Sequence, residues 1–222
     1  VRALTTDQVR ALTTDEVVAL TGAQVAALSS TQAAALTTLQ LNKMETNDLQ
    51  ALTTTAVRAL SSTQINNLSS DQIAVLSNGQ IAALTTTQLA SITSDALNAL
   101  TSDQLPSLSS TQVAAIGTTQ ISKMTTDDLA ALSTSAVRAL TTDQVKALTT
   151  DEVVALTAAQ AAALTSAQAG AMTTTQVSKL ETTDLASMTT TAVKGFSSDQ
   201  IKAMSTDQLA ALTSAQIGNL ST

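Results

Sequence analysis

Apolar residues recur with a period of eight along this chain. One row, here called the leucine row, starts at Leu4 and runs without insertion to Leu220, and its 28 positions hold only Leu, Ile, Met or Phe. A second row, the valine row, lies three residues before each member of the first, from Val1 to Ile217, and holds Val, Ile, Leu or Ala. The sequence is therefore a series of octads, and its fold has to explain all eight positions.

Two regular structures explain the octad poorly. In one continuous helix, eight residues overshoot two turns by roughly 80°, so the apolar stripe winds around the rod within about five octads and no partner helix can cover it. In a strand, a spacing of three sends the two rows to opposite faces, and the Gly and Asn that tight β-solenoid corners favour are scarce. Because Thr and Val favour strands, a β-solenoid stays open as the alternative.

A capping box explains the polar positions. Thr13-Thr14-Asp15-Glu16 fits the pattern in which the N-cap hydroxyl and the side chain three residues later, at position N3, accept hydrogen bonds from each other's backbone N–H. On this assignment Leu12 and Val17 occupy the positions that a hydrophobic staple joins. Ser or Thr follows the leucine row at 25 of its 28 positions. The exceptions are Glu45, Gly117 and Glu181. Each octad is therefore predicted to form a short helix followed by a bend.

One octad buries too little apolar surface to offset the entropy of ordering eight residues, so neighbouring octads have to stabilise it. We therefore predict an all-α solenoid that runs through residues 1–222 as a single continuous repeat domain. Stacked turns bury the two rows and pack the small residues Ala3, Ala11 and Ala19 closely. The number of octads in each turn does not follow from the sequence.

A longer period lies above the octad. The cassettes at 43–58, 123–138 and 179–194 share a Lys before the leucine row, an Asp at N3 and an Ala at the next N3. Residues 1–56 align without gaps on 137–192 with 41 identities among 56 positions, which indicates a super-unit of 136 residues. This super-unit is either a recurring lateral contact or simply the length of the gene segment that was duplicated.

The composition offers little chemistry. The chain has no Cys, His, Trp or Tyr, so disulfides, thiolate metal sites and the usual activators of a hydroxyl nucleophile are excluded, and we expect no enzyme, cofactor site or metal site. Lys43, Lys123 and Lys179 are interpreted as solvated or salt-bridged, and Asp127-Asp128 as helix-capping residues without the spacing of a calcium loop. The methionines all stand in the leucine row and are interpreted as core; they are Met44, Met124, Met172, Met188 and Met204. Pro106 and Gly117 are expected to loosen or bend the coil locally.

Charge and hydropathy limit the partners. A net charge of -7 spread over few charged residues provides no basic patch for nucleic acid, and polar residues interrupt every apolar run well short of a membrane span. The chain begins at Val1, within a repeat, so we expect it to be an excerpt of a longer array.

Runs such as ALTTDQVKALTTDEVVALT resemble the Ala/Thr/Gln-rich octapeptide arrays of very long bacterial surface or secreted proteins, which are often labelled adhesin-like or haem-utilisation-like. The resemblance implies an extracellular stalk, spacer or filament whose partners are further repeats or copies of itself, end to end or laterally. The alternative is an adhesin, ligand-binding or ice-binding surface formed by outward Thr and Gln rows. The residues give no support to haem binding, since only Met is present as a ligand.

Overall fold

Short helices joined by bends form nearly all of the computed structural model, which describes residues 1–220. The chain divides into two compact units, the first Val1–Leu108 and the second beginning at Ser109. The first unit contains α1 Thr6–Ala11, α2 Thr14–Val18, α3 Gly22–Ala26, α4 Ser30–Ala35, α5 Thr38–Lys43, α6 Thr46–Ala51, α7 Thr54–Ala59, α8 Ser62–Asn66, α9 Ser70–Ala74, α10 Asn78–Ala82, α11 Thr86–Ala90, α12 Ser94–Asn98 and the 3-10 turn Leu105–Ser107. The second contains α13 Ser110–Ala115, α14 Thr118–Ile121, α15 Thr126–Ala131, α16 Thr134–Ala139, α17 Thr142–Ala147, α18 Thr150–Val154, α19 Ala158–Ala163, α20 Ser166–Ala171, α21 Thr174–Lys179, α22 Thr182–Ser187, α23 Thr190–Val193, α24 Ser198–Lys202, α25 Thr206–Ala211 and α26 Ser214–Ile217.

The helices begin where the capping residues predict. At α2, Thr13 has extended backbone angles, its side chain accepts a hydrogen bond from Glu16 N–H, and the Glu16 carboxylate accepts one from Thr13 N–H at 2.8 Å. The capping box predicted at Thr13 and Glu16 is confirmed, and most of the other helices begin in the same way. Glu45, Gly117 and Glu181, the exceptions to the Ser/Thr rule, are N-caps that form no side-chain cap bond.

The leucine row ends many of the helices. At Leu12 and Leu36 the backbone turns to ψ 137° and 138°, so the chain leaves the helical region one residue before the next N-cap. None of the residues in 1–220 has a positive φ or follows a cis peptide bond. The bends therefore need no left-handed residue, which explains why a chain with only 6 Gly can bend in every octad.

A turn of the solenoid contains about three and a half octads. Helices three octads apart are packed neighbours, as α1 is with α4 and α2 with α5. In the first unit the side-chain amide of Gln40 donates to the carbonyl of Leu12, which lies 28 residues earlier. In the second unit Gln168 donates to Leu140 at the same offset of 28 residues. Since an octad has eight residues, helix packing over three octads together with these bonds over 28 residues gives a turn of between three and four octads, the quantity that the sequence left open.

The two apolar rows form the core and face opposite directions along the solenoid. The valine row packs on the following turn, because Val9 in the first turn is 0% exposed whereas Ile217 at the other end is 52% exposed. The leucine row packs on the preceding turn, since Leu4 is half-buried whereas Leu212 is buried. None of the described residues, 1–220, lies in a strand, so the all-α solenoid is confirmed and the β-solenoid alternative is wrong.

Two groups of predicted core residues behave differently. The five methionines are at most 7% exposed, so their assignment to the core is confirmed. The close packing predicted for Ala3, Ala11 and Ala19 is wrong, because these residues lie in the first turn and are exposed. The equivalent Ala51, inside the first unit, is half-buried.

Pro106 and Gly117 change the local structure in different ways. Pro106 stands in the 3-10 turn Leu105–Ser107, which replaces an α-helix, yet Gln104 of this octad still donates to Leu76 O at 2.7 Å. Gly117 is an N-cap with φ -67°, which is open to any residue. The contact between turns is therefore retained at Pro106, and the octad of Gly117 has no side-chain cap bond.

Candidate functional site

Gln recurs at N3 in most octads of the solenoid. We call these residues the glutamine ladder. In each of these residues Oε1 accepts from the backbone N–H of its own N-cap, and Nε2 donates to backbone carbonyls of the preceding turn. For Gln80, Oε1 lies 2.8 Å from Ser77 N, and Nε2 lies 2.9 Å from Leu49 O and 2.8 Å from Leu52 O. The members that bond in this way include Gln32, Gln40, Gln64, Gln72, Gln80, Gln88, Gln104, Gln144, Gln160, Gln168, Gln176, Gln200, Gln208 and Gln216.

The glutamine ladder supplies hydrogen-bond donors to carbonyls that short helices leave without partners. A helix leaves its last four carbonyls without intrahelical partners, and in a helix of six residues or fewer these are most of its acceptors. The acceptors of Gln40 are such carbonyls, at Val9, Arg10 and Leu12, where α1 ends. Gln40 itself is 2% exposed, so the bonds form away from water, where an unmade hydrogen bond is costly. One side chain therefore begins its own helix and satisfies the end of another.

The ladder is incomplete at the first turn. Gln8 and Gln24 form their own capping boxes, but no preceding turn is present in residues 1–220 and both side chains are exposed. Toward the other end, the carbonyls of Met204 and Leu212 receive no hydrogen bond from the described part of the chain. The first turn thus presents amide donors, and the last described turn presents carbonyl acceptors.

Carboxylates replace the amide at five N3 positions. Glu16 and Glu152 belong to identical octads, TTDEVVAL, of which the first has no turn before it and the second does. Glu152 is 2% exposed; its Oε2 accepts from Thr149 N–H, while its buried Oε1 has no partner. The ladder glutamines donate to carbonyls 31 and 28 residues earlier, which for residue 152 are those of Ile121 and Met124. A carbonyl offers no proton to a carboxylate oxygen. The other replacements are Asp48, Asp128 and Asp184, of which Asp184 is 3% exposed with Oδ2 unpartnered.

Burial changes the acidity of these groups in opposite directions. Hydrogen bonds from the backbone and hydroxyl of Thr13 hold the pKa of exposed Glu16 below its ordinary value. Burial raises the pKa of Glu152, although the Thr149 backbone bond opposes the rise. Burial, helped by the nearby charge of Glu181, raises the pKa of Asp184 from 3.8 to about 6. The same octad position therefore favours the charged form in the open first turn and the neutral form inside the stack.

Glu152→Gln is expected to stabilise the second unit by about 1 to 3 kcal/mol at pH 7, because an amide replaces the unpartnered carboxylate oxygen and donates to the preceding turn. The measurement is urea unfolding followed by far-ultraviolet circular dichroism. Glu16→Gln in the identical but uncovered octad is the matched control and is expected to change stability by less than about 0.5 kcal/mol. Equal gains from both substitutions would mean that the effect is local to the helix and independent of the preceding turn.

Asp184 is expected to make the second unit less stable as the pH rises. The folded chain holds a proton that the unfolded chain releases between pH 3.8 and about 6, so the stabilisation is complete below this window and is lost as pH rises through it. Asp184→Asn removes the titration, and the difference in urea midpoint between wild type and variant is expected to grow across that window and then stay constant. The control is the same Asp-to-Asn exchange at Asp207, an exposed acid of α25.

The residues examined for chemistry in the sequence are scattered over the solenoid. Lys43, Lys123 and Lys179 are exposed. Asp127 and Asp128 both lie in the first turn of α15, but Asp128 is buried at N3 and its side chain forms no capping-box bond, so a side-chain capping bond from Asp128 is ruled out. Within residues 1–220, no cluster of three or more His, Cys, Asp or Glu is placed to hold a metal ion. None of the helices described is long and apolar enough to cross a membrane.

The role of the ladder between turns was missed in the sequence, although a signal was present. Gln and Glu fit the capping box equally well, yet Gln occupies most N3 positions and Glu only two, Glu16 and Glu152. Only Gln carries a donor as well as an acceptor. The preference for Gln over Glu therefore indicates a second partner beyond the capping box.

Comparison with known families identifies the repeat. The ALTTAQ repeat family matches residues 1–22, 41–78, 76–110, 121–158, 177–214 and 200–222, which is more than half of the chain. The chain therefore belongs to the ALTTAQ repeat family. A comparison with curated proteins finds no match.

Proposed function

We propose that this array of ALTTAQ repeats has a structural function, as a stalk, spacer or filament-forming rod that is extended by adding turns. The observation that carries the proposal is the complementarity of the two faces of a turn. Gln8 and Gln24 present amide donors on one side, and Met204 and Leu212 present carbonyl acceptors on the other. A head-to-tail contact of this kind leaves the opposite face of each copy open, so it supports extension by further copies.

Apolar surface at the same two faces supports the proposal. Leu209 and Ile217, members of the valine row in the last described turn, are 37% and 52% exposed, whereas Val9 and Val17 in the first turn are 0% exposed. A following turn would cover Leu209 and Ile217, since that is what covers the valine row inside each unit. The partners we propose are therefore further repeats or a second copy of this chain, added end to end. Lateral contacts between arrays are a second mode.

We place this rod outside a bacterial cell, because octapeptide arrays of similar sequence occur in long bacterial surface and secreted proteins. The alternative is a surface-binding module that uses outward hydroxyls and amides. The hydroxyls at N-cap positions weigh against it, because Thr13 and its equivalents are bonded to their own helices. The ladder amides also face the preceding turn, which leaves a less regular polar surface for a ligand.

Sedimentation velocity over a wide concentration range tests the proposal. The chain is expected to form dimers, trimers and progressively longer oligomers as its concentration rises. Gln8→Glu with Gln24→Glu keeps both capping boxes but removes both exposed donors, and is expected to weaken this association at least tenfold while the unfolding midpoint of the monomer stays unchanged. A chain that stops at dimers, or that assembles equally well with both substitutions, would contradict extension through the ladder.

A further inference from the structure

Notches open in the solenoid at three octads in which Ala takes the place of a ladder glutamine. One notch, about 420 Å³ in volume, lies at the start of the Ala56 octad, here called the Ala56 notch, and is lined by Leu28, Thr53 and Arg2 among others. A second, about 290 Å³, lies beside Ala192 in the second unit. A third, about 480 Å³, lies beside Ala96. The absence of one Gln side chain therefore leaves a polar gap between turns.

The first two notches are the same site in two copies. Arg2, Leu28 and Thr53 of the first correspond to Arg138, Leu164 and Thr189 of the second. Each member of the second set lies 136 residues after its equivalent, which is the length of the super-unit. Each compact unit of the solenoid therefore contains one copy of this notch.

In the Ala56 notch, the two backbone groups that a Gln side chain at residue 56 would bond have no hydrogen-bond partner among the described residues. Thr53 N–H, which would donate to Oε1 of a Gln at N3, has no acceptor among residues 1–220. The carbonyl of Leu28, at the ladder offset of 28 residues before Ala56, has no donor there either. In the next octad Gln64 bridges the equivalent groups, with 2.6 Å from Ser61 N to Oε1 and 2.6 Å from Nε2 to Leu36 O.

The Ala96 notch shows that an amide from another octad can enter such a gap. Asn66, one turn earlier, accepts a hydrogen bond from Thr93 N–H at 3.0 Å, the group that a Gln at residue 96 would have bonded. Its Nδ2 donates to Ser91 O at 2.7 Å, so the whole carboxamide is engaged. The Ala56 and Ala192 notches contain no such residue, since Ala26 and Ala162 stand 27 residues before Thr53 and Thr189, at the position of Asn66.

We propose that the notches at Ala56 and Ala192 are binding sites for a primary carboxamide, supplied either by a small amide or by a Gln or Asn side chain of another polypeptide. Its oxygen accepts from the N–H of Thr53 or Thr189, and its nitrogen donates to the carbonyl of Leu28 or Leu164. A carboxylate offers no donor to the carbonyls, and an ammonium group offers no acceptor to the N–H. The site thus selects a planar group that carries an acceptor and a donor on the same carbon, as the ladder itself does.

Acetamide is the direct probe, because its four heavy atoms reproduce the part of Gln that Ala lacks beyond Cβ. A ligand of this size binds in roughly the millimolar range or more weakly, so the amide signals of Thr53 and Thr189 are followed by NMR during titration of the full chain. Saturable shifts at these two amides are expected. N,N-dimethylacetamide, which has no donor, and acetate are the control ligands and are expected to produce no saturable shift.

The double variant Ala56→Gln, Ala192→Gln fills both notches with the residue found in most other octads. It is expected to abolish the response to acetamide and to raise the urea midpoint. No saturable shift in the wild type, or the same shift in the double variant or with dimethylacetamide, would overturn the proposal.

The source of the carboxamide is distinguished by adding unlabelled chain to labelled chain. Shifts of Thr53 and Thr189 that the double variant abolishes identify a side chain of a second copy. A response to acetamide without a response to the second copy supports the same site with a small amide or a different polypeptide as its ligand.

Discussion

Gly195→Ala is expected to destabilise the second unit by about 3 kcal/mol, although Ala is the commonest residue at this octad position. A Cβ at residue 195 would lie 2.0 Å from Ser166 O and 2.7 Å from Ser166 C. Both are backbone atoms that cannot rotate away, so the turns would have to separate. Phe196, the only aromatic residue, follows directly and is 1% exposed, which leaves little space for such a shift.

Gly22→Ala is the matched control for this substitution. A Cβ at residue 22 would meet Ala51 Cβ at 3.5 Å, an ordinary van der Waals contact. Because Gly is also a poorer helix former than Ala by roughly 1 kcal/mol, the control is expected to be neutral or stabilising. Urea unfolding of both variants checks the pair. A midpoint of Gly195→Ala equal to that of the wild type would show that the turns do not approach as closely as described.

Gln80→Ala is expected to lower the free energy of unfolding by about 2 to 4 kcal/mol, because it removes a capping bond and leaves buried carbonyls without a donor. Gln80 is 1% exposed, and its Nε2 donates to Leu49 O, Gln50 O and Leu52 O. The substitution also opens a gap of the kind seen beside Ala56. That the chain itself carries Ala at several N3 positions means that one gap is tolerated, at a cost in stability.

Two control variants separate the loss of the capping bond from the loss of the hydrogen bonds to the preceding turn. Gln8→Ala removes the same capping bond from an exposed residue without an acceptor in the preceding turn, so it is expected to cost only about 1 kcal/mol. Gln80→Glu retains the capping oxygen and removes only the donor, so it is expected to resemble the arrangement at Glu152. Equal losses for Gln8→Ala and Gln80→Ala would show that the bonds between turns contribute nothing to stability.

The sequence predicted where each helix begins because residues within the same octad determine its cap. Thr13, Glu16 and their equivalents specify where each helix begins, and these capping boxes were confirmed. The two apolar rows predicted that successive turns stack, and inside each unit the following turn does cover the valine row. Exposure of Ala3 and its neighbours was not foreseen, since the prediction assumed that every octad has a turn on each side.

The length of the turn and the ladder were not predictable in the same way. The turn length depends on which carbonyl an amide reaches across 28 residues, a geometric match that no local pattern contains.

Hydrogen exchange of the glutamine side-chain amides tests most directly whether the ladder joins successive turns. The Nε2 protons of Gln80 and Gln168 are expected to exchange slowly, because they are buried and bonded to carbonyls one turn away. Those of Gln8 and Gln24, which occupy the same place in their own capping boxes, are expected to exchange at the rate of a free amide. Uniformly fast exchange at all four residues would contradict the ladder, and with it the bonds across 28 residues that join successive turns.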